Sequence, residues 1–233
     1  MTNALSAAPL PEEAALLFLK GQYALRYHDD RKGTLIKMLS PESVRSAFSR
    51  IPLDSGWLPP AVRRCGHTRA GAYAVMFISP GRHTLRLANT WKERFPGSRT
   101  LNLDVPLPGL VFAGLGPRYY VWASAGEPSP DAPLYQAPLP NVHDDGLICY
   151  GDNHPPTAGP LSLEAAWRLF IKTPFNDHLR GGPSKRYPDD VREQLLGLAE
   201  AAAAAYPVDD LVRHGRHTVA TAVDRLIEAG GHS

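Results

Sequence analysis

Short apolar runs broken by turn residues fill the chain up to about residue 149, and a helical period of apolar positions takes over after it. Residues 14–28 and 33–39 flank the polar turn His28, Asp29, Asp30, Arg31 and Lys32, which predicts a β-hairpin, with helix as the alternative over 14–20. Residues 40–51 open with a Ser40 cap and Pro41 and place Val44, Ala47, Phe48 and Ile51 on one face, the pattern of a short amphipathic helix. Proline and glycine cluster over 52–60 and mark a loop or boundary. Strands are predicted over 72–79 and 83–88, closing a hairpin around Pro80 and Gly81, and then over 101–105, 110–115 and 119–123.

Helices are predicted over 162–172, 188–206, 208–214 and 218–228, with Pro207 and Gly215 as breaks. The alanine-rich run 199–206 reads as a small-residue face for close helix packing, and Val219, Val223, Leu226 and Ile227 as core contacts. Strands first and helices second indicate an α+β domain. The expected division is an N-terminal extension over 1–70, a hairpin plus a short helix, and a main domain over 71–233. No repeat or heptad array interrupts this, which removes solenoids and coiled coils.

Composition narrows the function classes. At 233 residues and 43% hydrophobic content the chain can bury a sizeable core. Lys and Arg number 25 against 23 Asp and Glu, a formal charge of +2, too balanced to imply a nucleic-acid or membrane surface. Two cysteines, Cys65 and Cys149, form no disulfide framework and fit a reducing compartment, so a cytoplasmic protein is expected. The N-terminal segment lacks the pattern of a signal peptide, and no apolar run approaches the roughly 20 residues that span a bilayer.

Candidate chemistry concentrates in PNVHDDGLICYGDN, residues 140–153. Cys149 is a candidate nucleophile, and Asn141, eight positions before it, a candidate positioning amide. Taken singly, each has an ordinary structural reading. An unpaired cysteine packs as a small hydrophobe, Asn141 suits a turn, and Asp144, Asp145 and Gly146 suit a solvated hairpin tip. His143, Cys149, Asp152 and His154 lack the spacing of a structural zinc site, and no histidine has a cysteine-protease context. The glycines at 114, 116, 181 and 182 lie outside any GxxxxGK[ST] pattern, so no cofactor or metal is expected. The stretch 180–185, RGGPSK, reads either as a mobile basic surface near Cys149 or as a solvated loop.

Pro140, Asn141, Gly146, Ile148 and Cys149 together resemble the active-site region of ubiquitin-conjugating (UBC) enzymes, where His-Pro-Asn precedes Gly-x-Ile-Cys at this spacing. Leu139 stands where that family has its loop-shaping histidine. Residues 161–179 look like the family's following helix and exit loop. VPLPGLVFAGLGPRYYVWAS, PLYQAPLPNVHDDGLICYGD and TPFNDHLRGG are closest to the bacterial branch, prokaryotic UBC-like family D, and within it to PRTRC-type B members. The likeness is specific over 138–180 and fades before about residue 70.

The resemblance implies a UBC-like α+β core, an antiparallel β-meander followed by C-terminal helices, beyond an N-terminal α/β extension. It implies that Cys149 carries a ubiquitin-like modifier as a thioester, with Asn141 in support. His143, Asp144, Asp145 and Asp152 are candidates for tuning the incoming amine. The implied partners are a ThiF-like adenylating enzyme, a small ubiquitin-like protein and a JAB-like peptidase. Two alternatives stay open: a non-catalytic UBC-like module that binds a ubiquitin-like partner, and a structural or partition accessory protein.

Overall fold

The computed structural model describes residues 14–20, 22–44 and 56–231. By internal contact the chain divides between Gly56 and Trp57 into two compact units.

In the first unit β1 (Ala14–Leu19), β2 (Gln22–Asp29) and β3 (Gly33–Leu39) form a three-stranded antiparallel sheet in that order. The run 14–28 is therefore two strands, not one arm of a hairpin, and 14–19 is strand and not helix. The turn after β2 forms where expected, with the Asp29 carboxylate accepting the amides of Arg31 at 3.0 Å and Lys32 at 2.9 Å. Of the helix expected over 40–51, residues 41–44 are helical and Ser40 Oγ accepts the Ser43 amide at 3.1 Å, the bond of an N-cap. Residues 45–51, and 52–55 of the expected boundary loop, lie outside the described residues.

The second unit is built on a six-stranded antiparallel sheet. Its strands are β4 (Val62–Thr68), β5 (Gly71–Ile78), β8 (Gly109–Leu115), β9 (Arg118–Ser124), β10 (Pro133–Gln136) and β11 (Arg213–Thr218), in the order β11-β10-β9-β8-β5-β4. A separate two-stranded ribbon pairs β6 (Gly81–Ala88) with β7 (Thr100–Leu107). The hairpin predicted between 72–79 and 83–88 does not form. β5 already has β4 on one edge and β8 on the other, so β6 pairs with β7 and buries Leu85, Leu87, Leu103 and Val105.

The central strands separate two cores by simple alternation. Leu110 and Phe112 of β8 and Tyr119, Val121 and Ala123 of β9 face one core; Val111, Ala113, Tyr120 and Trp122 face the other. Helix α1 (Leu163–Lys172) covers the first face with Leu163, Ala166, Trp167, Phe170 and Ile171, the spacing of one helical stripe. Helix α2 (Val191–Glu200) packs beside β7 and adds Leu195, Leu196 and Leu198 to the same core. Helix α3 (Val219–Gly231) covers the second face with Val219, Ala222 and Val223.

Two helix predictions are corrected. The helix expected over 188–206 is shorter at both ends. The Asp190 carboxylate caps it through the Arg192 amide, and the alanine run leaves helical geometry after Glu200, with Ala202 at φ +47°. Tyr206 is the reason: its ring is buried in the core and its hydroxyl donates to Asp210 at 3.0 Å, an anchor that a continuing helix would not reach. The run is thus not a helix-packing face. The helix expected over 208–214 is one 3-10 turn, Val208–Asp210, followed by β11, because β10 needs a partner on its outer edge; Gln136 N–H donates to Val212 O at 2.9 Å. β11 thus lies among the helices, and the architecture remains α+β.

Candidate functional site

Residues 141–149 fold back on themselves as a narrow antiparallel ribbon. Cys149 N–H donates to Asn141 O at 2.9 Å, His143 N–H donates to Leu147 O at 2.8 Å, and Val142 bridges Ile148 between them. Asn141 and Cys149 therefore stand opposite each other at the open end of the ribbon, while His143, Asp144 and Asp145 form its tip. The turn closes through Gly146 N–H to His143 O at 2.8 Å, and the Asp145 carboxylate accepts the Leu147 amide at 2.9 Å.

The ribbon is held on the sheet by β9, beyond the point where β10 stops pairing. Ile148 N–H donates to Tyr119 O and Val121 N–H to Gly146 O, both at 2.9 Å, and Trp122 Nε1 donates to Asp145 O at 2.9 Å. Behind it, Leu139 is fully buried in the first core, so the position of the family histidine is here a packing residue. Ahead of it, Tyr150 packs its ring against Tyr119 and Phe170 and donates its hydroxyl to Ala166 O at 3.1 Å; burial raises its pKa, so it stays a neutral anchor. Cys149 is half-buried between these fixed points.

Asn141 has φ +60°, a conformation that Asn tolerates better than most residues, so its presence has a backbone reason. Its Oδ1 is buried with no hydrogen-bond partner, and its backbone N–H donates to His178 O at 3.3 Å. A buried, unpaired side-chain oxygen is uncommon. The structure thus brings Asn141 and Cys149 together and leaves His143, Asp144 and Asp145 exposed, two ribbon rungs away. Asp152 is exposed in the turn after Gly151. Among the described residues no group of three or more His, Cys, Asp or Glu is placed to hold a metal ion.

The stretch 180–185 is a solvated loop at Arg180, Gly181, Gly182 and Lys185, tied down by hydrogen bonds. Val191 N–H donates to Arg180 O, Gly182 N–H to Pro188 O, and Lys185 to the carbonyls of Asp209 and Asp210, while Ser184 is buried and bridges Leu211. It walls a cavity of about 10 Å³ between Gln136, Val142, Asp144, Gly146 and Gly181, room for about one water.

His214 of β11 escaped the sequence reading, although the HGRH run, residues 214–217, offered a signal. Its ring lies 6.3 Å from that of Trp122 and 5.6 Å from that of His217. Burial, and then His217, push its pKa down, against the pull of Asp145 and of Asp144. His83, edge-on to Trp167, is also pushed down, by burial against the pull of Asp104. For both, the folded pKa lies below the ordinary 6.5, so the unfolded chain binds more protons and stability rises with pH. The expected outcome is a melting temperature that holds above about pH 7 and declines as pH falls below 6.5 through the depressed folded values, with a shallower decline in His83→Gln. Thermal melts between about pH 5 and pH 8 check this.

A central antiparallel sheet with a helix packed on it after the cysteine is compatible with a UBC-like fold. The model of prokaryotic E2 family D matches residues 35–214, well over half of the chain, and the chain belongs to that family. No curated protein and no solved structure matches it. Among the described residues no helix is long and apolar enough to cross a membrane.

Proposed function

We propose that the protein carries a ubiquitin-like modifier as a thioester on Cys149, in a bacterial PRTRC-type system with a ThiF-like adenylating enzyme, a small ubiquitin-like protein and a JAB-like peptidase. The observation that carries this reading is the rung that sets Asn141 opposite Cys149, closed by the 2.9 Å bond from Cys149 N–H to Asn141 O.

In the first step the Cys149 thiolate attacks the carbonyl carbon of a thioester on the activating enzyme. A new C–S bond forms, the old one breaks, and the donor thiolate leaves. In the second step an amine or water attacks the same carbon, Cys149 leaves as thiolate, and the attacking group loses its proton to solvent. Cysteine is nucleophilic enough near neutral pH that no dedicated general base is required. The Asn141 amide stabilises the tetrahedral oxyanion or holds the ribbon backbone, and His143, Asp144, Asp145 and Asp152 offer the charge that meets the acceptor. The protein works in the cytoplasm, where the free thiol survives.

Asn141→Gly keeps the positive φ without strain and removes the amide, so it separates the two reasons for asparagine here. Discharge of a Cys149 thioester to an amine is expected to slow by ~10² to 10³ in Asn141→Gly, with little change in thermal stability. Discharge as fast as in the parent would remove Asn141 from the chemistry.

Leu139 favours a second reading. Its burial in the core leaves the ribbon without the family's loop-shaping side chain, as suits a UBC-like module that binds a ubiquitin-like partner without transfer. Stable non-covalent binding with no thioester would support it.

A further inference from the structure

The six-stranded sheet ends on a bulged, basic edge beside an apolar cavity. β4 is the last strand of the order β11-β10-β9-β8-β5-β4, so among the described residues its outer edge has no strand partner. The register slips between Val62, opposite Met76, and Arg64, opposite Val75, which makes Arg63 the extra residue of a bulge. Regular alternation would send Arg63 and Arg64 to opposite faces, and the bulge turns both toward the face that α3 covers. There the Arg63 guanidinium lies over the Phe77 ring, 5.9 Å from its centre, and Arg64 meets Asp224 of α3 at 2.6 Å. Beside them opens a cavity of about 130 Å³ lined by Val75, Phe77, Pro130, Val219 and Val223, with the two exposed arginines completing its wall.

We propose that this edge docks an extended acidic segment of a partner protein, which adds to β4 as a further strand with an aliphatic side chain in the cavity and a carboxylate on Arg63. A cavity of about 150 Å³ takes a benzene molecule, so this one, at about 130 Å³ and lined mainly by apolar side chains, has room for one aliphatic side chain. Arg64 already has a carboxylate in Asp224. Arg63 makes no ion pair among the described residues, and its contact with the face of Phe77 leaves its N–H groups to a ligand. From Leu58 to Gly71 the chain carries three arginines and a histidine and no Asp or Glu, so the whole edge favours an acidic strand. The same charges disfavour a second copy of this chain, because two β4 edges would set arginine against arginine. Strand addition supplies backbone hydrogen bonds, while the cavity and Arg63, on one face of the sheet, read side chains two positions apart.

The docking edge is independent of the thioester reading, since no residue of the ribbon 141–149 lines the cavity. The probes are two N-acetylated, C-amidated threonine heptapeptides carrying one leucine and one glutamate two positions apart, in the two orders, one for each strand direction. Calorimetric titration into the full chain is expected to show saturable one-to-one binding of one of them. Glutamine in place of the peptide's glutamate, or Arg63→Gln in the protein, is expected to weaken binding roughly tenfold, and the two changes together little further. Ala220→Leu, which fills the cavity from α3, is expected to weaken it roughly tenfold or more. N-methylation of alternate peptide residues, in two frames, is expected to abolish binding in one frame only. No saturable binding below about 1 mM, or an unchanged affinity in Arg63→Gln or in a folded Ala220→Leu, would overturn the proposal. Should Ala220→Leu fail to fold, Arg63→Gln decides, because Arg63 is exposed and its exchange spares the core. A chain that dimerises by itself and loses the dimer in Arg63→Gln would give the edge to a second copy and overturn the proposal as well.

Discussion

Gly146→Ala is expected to destabilise the protein by about 2–6 kcal/mol and to slow discharge at Cys149 by roughly 10²-fold. Gly146 has φ +93°, and a Cβ built there lies 2.2 Å from Trp122 Nε1 and 2.6 Å from its Cε2. The indole has nowhere to retreat, because it is stacked on Tyr120 with ring centres 5.7 Å apart and tied to Asp145 O. About 1–3 kcal/mol comes from the backbone conformation and a similar amount from overpacking. The rate effect follows because the turn sets the ribbon that places Asn141, and small misplacements cost steeply in reactions that depend on orientation. Denaturant midpoints and single-turnover discharge measure the two effects; a stability change below about 1 kcal/mol would mean that the tip is not held as described.

Cys149→Ala is expected to remove transfer altogether, a loss of at least ~10³, since no other group in the ribbon is a comparable nucleophile. Because Cys149 is only half-buried, stability should change by less than about 1 kcal/mol, which separates loss of chemistry from loss of fold. Cys65→Ala is the control. Cys65 lies on β4, an edge strand of the sheet, and its removal should leave transfer at the parent rate. Transfer retained in Cys149→Ala would place the nucleophile elsewhere.

The buried interior strands were legible in the sequence because they are apolar on both faces: β8 and β9 were foreseen within about a residue at each end. The edge strands β4 and β11, and the short β10 between β9 and β11, were not. β4 carries only Val62 and Cys65 toward the core, β10 begins with Pro133 and runs four residues, and β11 reads RHGRHT. Such strands are held by pairing with a neighbour more than by their own side chains, and pairing is invisible locally. The same blindness joined β5 to β6, because nothing in either segment records that β4 and β8 already occupy β5. The alanine run misled through propensity, which the Tyr206 anchor overrides. At the site, the eight-residue spacing of Asn141 and Cys149 was readable because a single ribbon spans it. His214 was not, since its ring reaches Trp122 from a strand 65 residues after Cys149.

The most direct measurement is the intact mass, under non-reducing conditions, of the protein after incubation with the proposed partners, a ThiF-like adenylating enzyme and a small ubiquitin-like protein, and ATP. The expected result is a species heavier by one modifier less one water, cleaved by thiol, mapped to Cys149 and absent from Cys149→Ala. A fully charged adenylating enzyme beside an unmodified Cys149 would contradict the thioester reading.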